Sequence, residues 1–412
     1  MIVRNQKINK TVFWILFAFL IVTTSFFNYK GWNIKTYIYL PFYAYFLWEC
    51  FVHRNRLQQK RKEMHFRGLI KFLMVLPIFC FISYFANGDL AWQSHPTTFI
   101  MMCGSITFIL YYVLHALNVN ERTIITLFVV LALCIFAIQV LQQFNPGGAL
   151  FGVPSPNAED VQTLDATDNI EQRNGLYRFR VGGTLITIMA LCYTWQKVMR
   201  KVSIKNIVLF GAMAASMYLL LTRQYMIATI GMCVFSVFLT GKTKMSSKIK
   251  YLIPIALFLF VLYMFQDALF GDLLEQTQNQ TENSDTDIRT YAFAYYWNEI
   301  ISHPLTMIFG AGAQSAASLY ASEFKMFWID IGLVGQWFVW GIGAVLSYIY
   351  ILIQIFFRKK YKVPGYIRFM AFLTLITSML IFPYRNPTEF MVWACVFYLI
   401  DLHTSNSPLA QK

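Results

Sequence analysis

Charge is what this chain has least of. Only 13% of its 412 residues are Asp, Glu, Lys or Arg, about half the share found in soluble domains. With 57% hydrophobic residues, a water-soluble fold would have to expose apolar patches of a size soluble proteins avoid. Catalytic signatures are missing too. There is no Walker A loop, no Gly-x-Gly-x-x-Gly, no His-Glu-x-x-His and no nucleophile elbow. That removes the nucleotide, dinucleotide, zinc-peptidase and hydrolase classes those motifs mark. The seven cysteines (Cys50, Cys80, Cys103, Cys134, Cys192, Cys233 and Cys395) lie in or beside apolar runs, and none forms Cys-x-x-Cys. They read as small buried hydrophobes, not as disulfides or ligands. No metal and no cofactor is expected.

What is present is long, continuous apolar sequence. The runs do not alternate as barrel strands would. The expected fold is therefore all-α, a polytopic membrane protein forming one integral membrane domain over 1–412. Windows of roughly 17–25 residues suggest about twelve spans: 11–28, 34–52, 69–86, 97–117, 123–143, 182–198, 206–222, 224–240, 251–268, 328–357, 368–383 and 389–402. The basic start, Met1–Lys10, followed by an apolar run resembles a signal peptide. No small-residue cleavage site follows, so it reads as the first span.

The net charge of +14 does not point to nucleic acid, because the basic residues are scattered in short clusters between apolar runs. They act as topology signals. With both termini in the cytoplasm, 25 of the 34 Lys and Arg fall in inside segments. Six of the nine outside are Arg: Arg173, Arg178, Arg180, Arg223, Arg289 and Arg385. Topology would remove positive charge there, so each asks for a reason. The planar guanidinium fork suits phosphate and carboxylate.

Two outside loops are long, 144–181 and 269–327. The second contains the stretch on which the reading turns, Thr281 to Gly335. An aromatic helix is expected over Ile288–Ile301, with Tyr295, Tyr296 and Trp297 suiting the membrane interface. His303-Pro304 ends it. Gly310-Ala311-Gly312 then makes a tight turn with exposed backbone amides.

Each candidate has a plain alternative. Arg223 faces an anionic headgroup in a polar cavity, or snorkels to lipid phosphate. Arg289, at a helix start, binds an anion or pairs weakly with Asp285 or Glu282. Arg178 and Arg180 grip a diphosphate, with Gly182-Gly183 allowing close approach, or anchor at the interface. His303, Glu323 and Asp330 are candidate bases; His303 could equally cap a helix end, and Asp330 could orient one. Tyr296, Trp297 and Arg385 are candidate glycan contacts, with Arg385 in a loop (Tyr384–Glu389) able to close a cavity.

These pieces, in order, resemble the bacterial O-antigen polymerase and O-antigen ligase superfamily. The resemblance covers about Arg173 to Gly335. It rests on Arg178-x-Arg180 before Gly182, Thr222-Arg223, Arg289-x7-Trp297, His303-Pro304-Leu305 with Gly310-x-Gly312, and Asp330-Ile331-Gly332-x2-Gly335. It implies metal-independent, inverting glycosyl transfer at the outer face of the bacterial cytoplasmic membrane. The donor would be a glycan on undecaprenyl diphosphate, with arginines holding the diphosphate. The ligases carry a His-Asn pair where this chain has Ala321-Ser322. That difference points to a Wzy-like polymerase and leaves Glu323 as the first substitute base. The implied partners are the lipid-linked oligosaccharide and membrane lipid, with a chain-length regulator as a further candidate. An O-antigen ligase and a transporter or flippase of lipid-linked sugars are the rival readings. A transporter would place charges and broken helices near the bilayer midplane.

Overall fold

Helices begin and end where local chemistry dictates. The computed structural model describes residues 9–24, 39–86, 104–144, 153–154, 172–173, 176–177, 179–180, 182–220, 222–239, 245–264, 288–312, 328–358, 361–379 and 386–405. In chain order the α-helices are α1 (Lys10–Thr23), α2 (Tyr39–Val52), α3 (Arg54–Gln59), α4 (Arg67–Ala86), α5 (Leu110–Leu117), α6 (Glu121–Phe144), α7 (Thr184–Arg200), α8 (Ile204–Tyr218) and α9 (Arg223–Leu239). They continue as α10 (Met245–Met264), α11 (Ile288–Ser302), α12 (Pro304–Phe309), α13 (Gly332–Trp340), α14 (Ile342–Phe356), α15 (Gly365–Thr377) and α16 (Pro387–Ser405). Short 3-10 turns precede α5 (Gly104–Ile109) and α13 (Trp328–Ile331). The strands are β1 (Val153–Pro154), β2 (Gln172–Arg173), β3 (Leu176–Tyr177) and β4 (Phe179–Arg180), paired β1 with β4 and β2 with β3, both antiparallel.

The described residues are all-α apart from these two small ladders, and each apolar window contains helix among its described residues. Complete crossings are another matter. Among the described residues one helix, α6, is long and apolar enough to cross a membrane, where about twelve are expected; six others are apolar but only 10–17 residues long. Fifteen residues rise about 22 Å, short of a hydrocarbon core of about 30 Å. Two windows are interrupted. The 97–117 window is 3-10 in its described first part and α-helical only from Leu110. The 328–357 window breaks at Gly341, whose φ of 75° no helix allows.

The chain divides into two compact units. Unit 1 comprises Met1–Leu40, Val119–Glu282 and Gly365–Leu373. Its centre is α6, capped by Asn120, whose Oδ1 accepts the Thr123 N–H at 2.8 Å. Helix α6 buries Ile124, Leu127, Phe128, Leu131 and Ile135 at helical spacing. One buried polar bond locks α8 to it, from Ser216 Oγ to Gln139 Oε1 at 2.6 Å. Ser203 caps α8 by accepting from the Asn206 N–H.

Unit 2 comprises Pro41–Asn118, Asn283–Pro364 and Thr374–Lys412. Its axis is α16. From Met391 to Ile400 every side chain is almost fully buried, the signature of a helix packed on all sides. It packs against the Gly104–Ile109 turn and α5. Its start is a capping arrangement: Pro387 follows Asn386, whose Oδ1 accepts the Glu389 N–H at 3.0 Å while its Nδ2 donates to Glu389 Oε1 at 3.2 Å.

Candidate functional site

In unit 1 a side chain of α6 holds Tyr177, a residue of the first long loop. Gln143 grips the Tyr177 backbone twice, donating from Nε2 to its carbonyl (2.7 Å) and accepting its N–H on Oε1 (2.9 Å). The Tyr177 ring packs on Ile135. On the other strand residue of this pair, Leu176 packs with Tyr218 against Met226. Met226 lies one turn into α9, whose first residue is Arg223. Thr222 precedes it as the cap, its carbonyl accepting the Tyr225 and Met226 N–H groups. Leu176 therefore lies against the first turn of the helix that Arg223 opens. Leu176 and Arg180 are separated by at most about 14 Å of extended chain. Arg180 is placed by its pairing with Val153. Arg178 lies outside the described residues.

The glycines after these arginines serve the protein itself. A Cβ at Gly182 would sit 2.0 Å from the Thr24 carbonyl oxygen, and one at Gly183 (φ 88°) would press on Ile135. The space on the Cβ side of Gly182 is taken by Thr24, which caps the end of α1.

Unit 2 gathers the second group. Helix α11 packs against α13 and the Trp328–Ile331 turn. Arg289 is exposed on its first turn. Tyr296 is fully buried, with its ring 4.9 Å from that of Phe338. Burial raises its phenol pKa, and the Asp330 carboxylate adds to this against a hydrogen bond with the Trp328 backbone. A ring enclosed in this way has no face to offer a sugar. Its neighbour Trp297 does: it is 38% exposed, stacked on Phe293 and edge-on to Trp337 at 5.7 Å. Asp330 is itself exposed, one turn before α13. His303 ends α11 as expected, in extended conformation, and Pro304 opens α12, a short helix the sequence reading did not contain. Its Nε2 lies 3.7 Å from Glu299 Oε2, a carboxylate able to orient the ring. Glu323 and Arg385 lie outside the described residues.

The Gly310-Ala311-Gly312 turn corrects the sequence reading. Its amides are not presented to a ligand; all three residues are buried. Gly310 N–H donates to Thr306, Ala311 N–H to Phe338 (2.7 Å) and Gly312 N–H to Val339 (3.1 Å). The last two acceptors are final-turn carbonyls of α13, freed where the chain breaks at Gly341. A Cβ on Gly310 would lie 2.4 Å from the Val339 oxygen, and one on Gly341 2.3 Å from the Ile308 oxygen. Two interruptions thus dock and satisfy each other's backbone, with Trp337 Nε1 donating to Met307 O at 2.8 Å. Gly332 likewise meets the Ser378–Met379 backbone, and Gly335 the Trp328 carbonyl.

A cluster that the sequence reading passed over lies at the far end of α16. Asp401 is fully buried. It accepts from the Tyr111 hydroxyl, from His115 Nε2 at 3.3 Å and from the His65 backbone N–H at 3.3 Å. The signal was there to be read: an acid and a histidine inside apolar windows need partners. Among the described residues no group of three or more His, Cys, Asp or Glu forms a metal site.

No protein-family model matches the chain, and no curated protein matches it.

Proposed function

We propose that the chain is a polytopic membrane glycosyltransferase of the bacterial cytoplasmic membrane. It would join lipid-linked oligosaccharide repeat units into a surface polysaccharide at the outer face. The observation that carries this reading is in unit 1. Between Arg173 and Arg180, Gln143 holds the Tyr177 backbone and Leu176 packs on Met226, in the helix that begins at Arg223. A polyprenyl diphosphate is already a good leaving group, so the enzyme's main task is to stabilise departing negative charge. An arginine at a helix start would bring a guanidinium donor to that charge. In unit 2, Trp297 offers an aromatic face for a glycan, and Asp330 and His303 are carried as candidate bases beside Glu323.

One observation favours a second reading. The window over 328–357 is discontinuous at Gly341, and broken helices are a transporter feature. Replacing Arg223 and Arg289, separately, by Lys and by Ala decides between the two. Polymer length is read by gel in a strain lacking its own copy, with membrane levels checked. Collapse to single repeats in both Lys and Ala variants at normal protein levels supports bidentate diphosphate binding. A full-length ladder in all four variants refutes it and makes transport the leading reading.

A further inference from the structure

We infer that the ribbon from Arg54 to Lys62 is a docking site for anionic phospholipid headgroups; this rests on the membrane topology proposed above, not on the glycosyl transfer. Between Arg54 and Lys71 the sequence carries seven Lys and Arg against one acid, Glu63. Two of these cations are committed inside unit 2. Arg56 donates to the Ala116 carbonyl at 2.8 Å, and Lys60 Nζ donates to Asn118 Oδ1 at 2.7 Å. These bonds hold α3 and the following turn against the end of α5. Arg54, Arg61 and Lys62 are left exposed, and among the described residues no carboxylate pairs with their side chains. The Arg54 guanidinium lies over the Phe51 ring at 5.7 Å. Phe51 is itself exposed, as are Trp48 and Leu47 on the preceding turns of α2.

The surface therefore has two chemistries in sequence, an apolar aromatic stripe followed by a fixed row of unpaired cations. An anionic lipid matches both, acyl chain to the stripe and phosphate to the cations. A soluble acidic protein or a nucleic acid would match only the second. The anchored pair, Arg56 and Lys60, holds the row in place, so less side-chain and backbone freedom is lost when a headgroup arrives.

The test uses the full chain in nanodiscs of mixed phosphatidylglycerol and phosphatidylcholine. Lipid retained on release is counted by native mass spectrometry, with no sugar donor present, so a failed polymerisation assay and a failed lipid assay remain separate results. Wild type retains phosphatidylglycerol in preference. Neutralising one cation (R61Q) lowers that preference about fivefold, and R54Q/R61Q/K62Q lowers it at least about tenfold. K201Q/K205Q, in the basic link between α7 and α8, leaves it unchanged. Equal loss in both multiple variants overturns the site in favour of general surface charge. Displacement of the lipid by excess glycerol phosphate, which has the charge without the chains, overturns it in favour of a soluble-anion site. The single variant keeps the proposal falsifiable if the triple one folds poorly.

Discussion

Replacing Gly341 by Ala tests the docking of the two chain breaks. Gly341 has φ 75° and ψ 176°, a region essentially closed to residues with a Cβ and worth about 1–3 kcal/mol of strain. The added methyl would stand 2.3 Å from the Ile308 oxygen and 2.6 Å from the Phe309 carbonyl carbon. Those are backbone atoms that cannot swing aside, so the two segments must part. Parting them breaks Ala311 N–H to Phe338 O and Gly312 N–H to Val339 O, about 1 kcal/mol each. One effect opposes this: Ala favours continuous helix over Gly by about 1 kcal/mol, which would help α13 and α14 fuse. The balance is a loss of about 2–4 kcal/mol, on the order of 2–5 °C in melting temperature for a chain of this length. The assay is thermal unfolding of the detergent-solubilised protein, with Gly211→Ala as control. Gly211 lies within α8, and a Cβ there meets nothing within 4 Å; that variant should hold or gain stability. A Gly341→Ala protein that melts with wild type would refute the docked-break geometry.

Three further outcomes are expected. Asp401→Ala strands the Tyr111 hydroxyl, His115 and the His65 N–H, and should cost about 3–5 kcal/mol, while Asp401→Asn, which keeps an acceptor, should cost about 1–3; thermal unfolding separates them. Ser216→Ala leaves Gln139 Oε1 buried without its donor and should cost about 1–2 kcal/mol, most of it recovered in Ser216→Ala/Gln139→Leu, a double-mutant cycle that fails if the costs simply add. Tyr296→Ala should lower the amount of folded protein in the membrane, since truncating a buried aromatic costs about 3–5 kcal/mol. Trp297→Ala should leave that amount near normal and shorten the polymer; equal protein loss in both would remove Trp297 from the glycan role.

Much of the helical layout could be read in advance, because an apolar run has only one way to satisfy its backbone away from water. The breaks inside those runs could not. Gly341 stands between Trp340 and Ile342, so hydropathy passes straight over it, and only the docked Gly310 turn, some thirty residues upstream, explains why the chain stops there. Gly182-Gly183 and Gly310-x-Gly312 looked like places for a ligand. Glycine marks close approach without saying to what, and here the answer is another stretch of the same backbone. The arginine step at Thr222-Arg223 was visible as charge on the wrong side of a charge map. Its neighbourhood with Leu176 depended on Gln143, a residue with no distinguishing pattern around it. Asp401 was legible in principle, as the one acid in an otherwise apolar stretch of the last window.

The partnership of Tyr111 with Asp401 spans 290 positions of sequence. At ribosomal speeds of about 5–20 residues per second, roughly 15–60 s pass between making the first and the second. During that interval the Gly104–Ile109 turn and α5 have no α16 to lie against, and the hydroxyl of Tyr111 and the imidazole of His115 have no carboxylate. Unit 2 is thus a structure held open at its centre until late in synthesis. A truncation that removes α16 should leave not a slightly smaller fold but an unfinished one, exposed to the quality-control proteases that survey membranes.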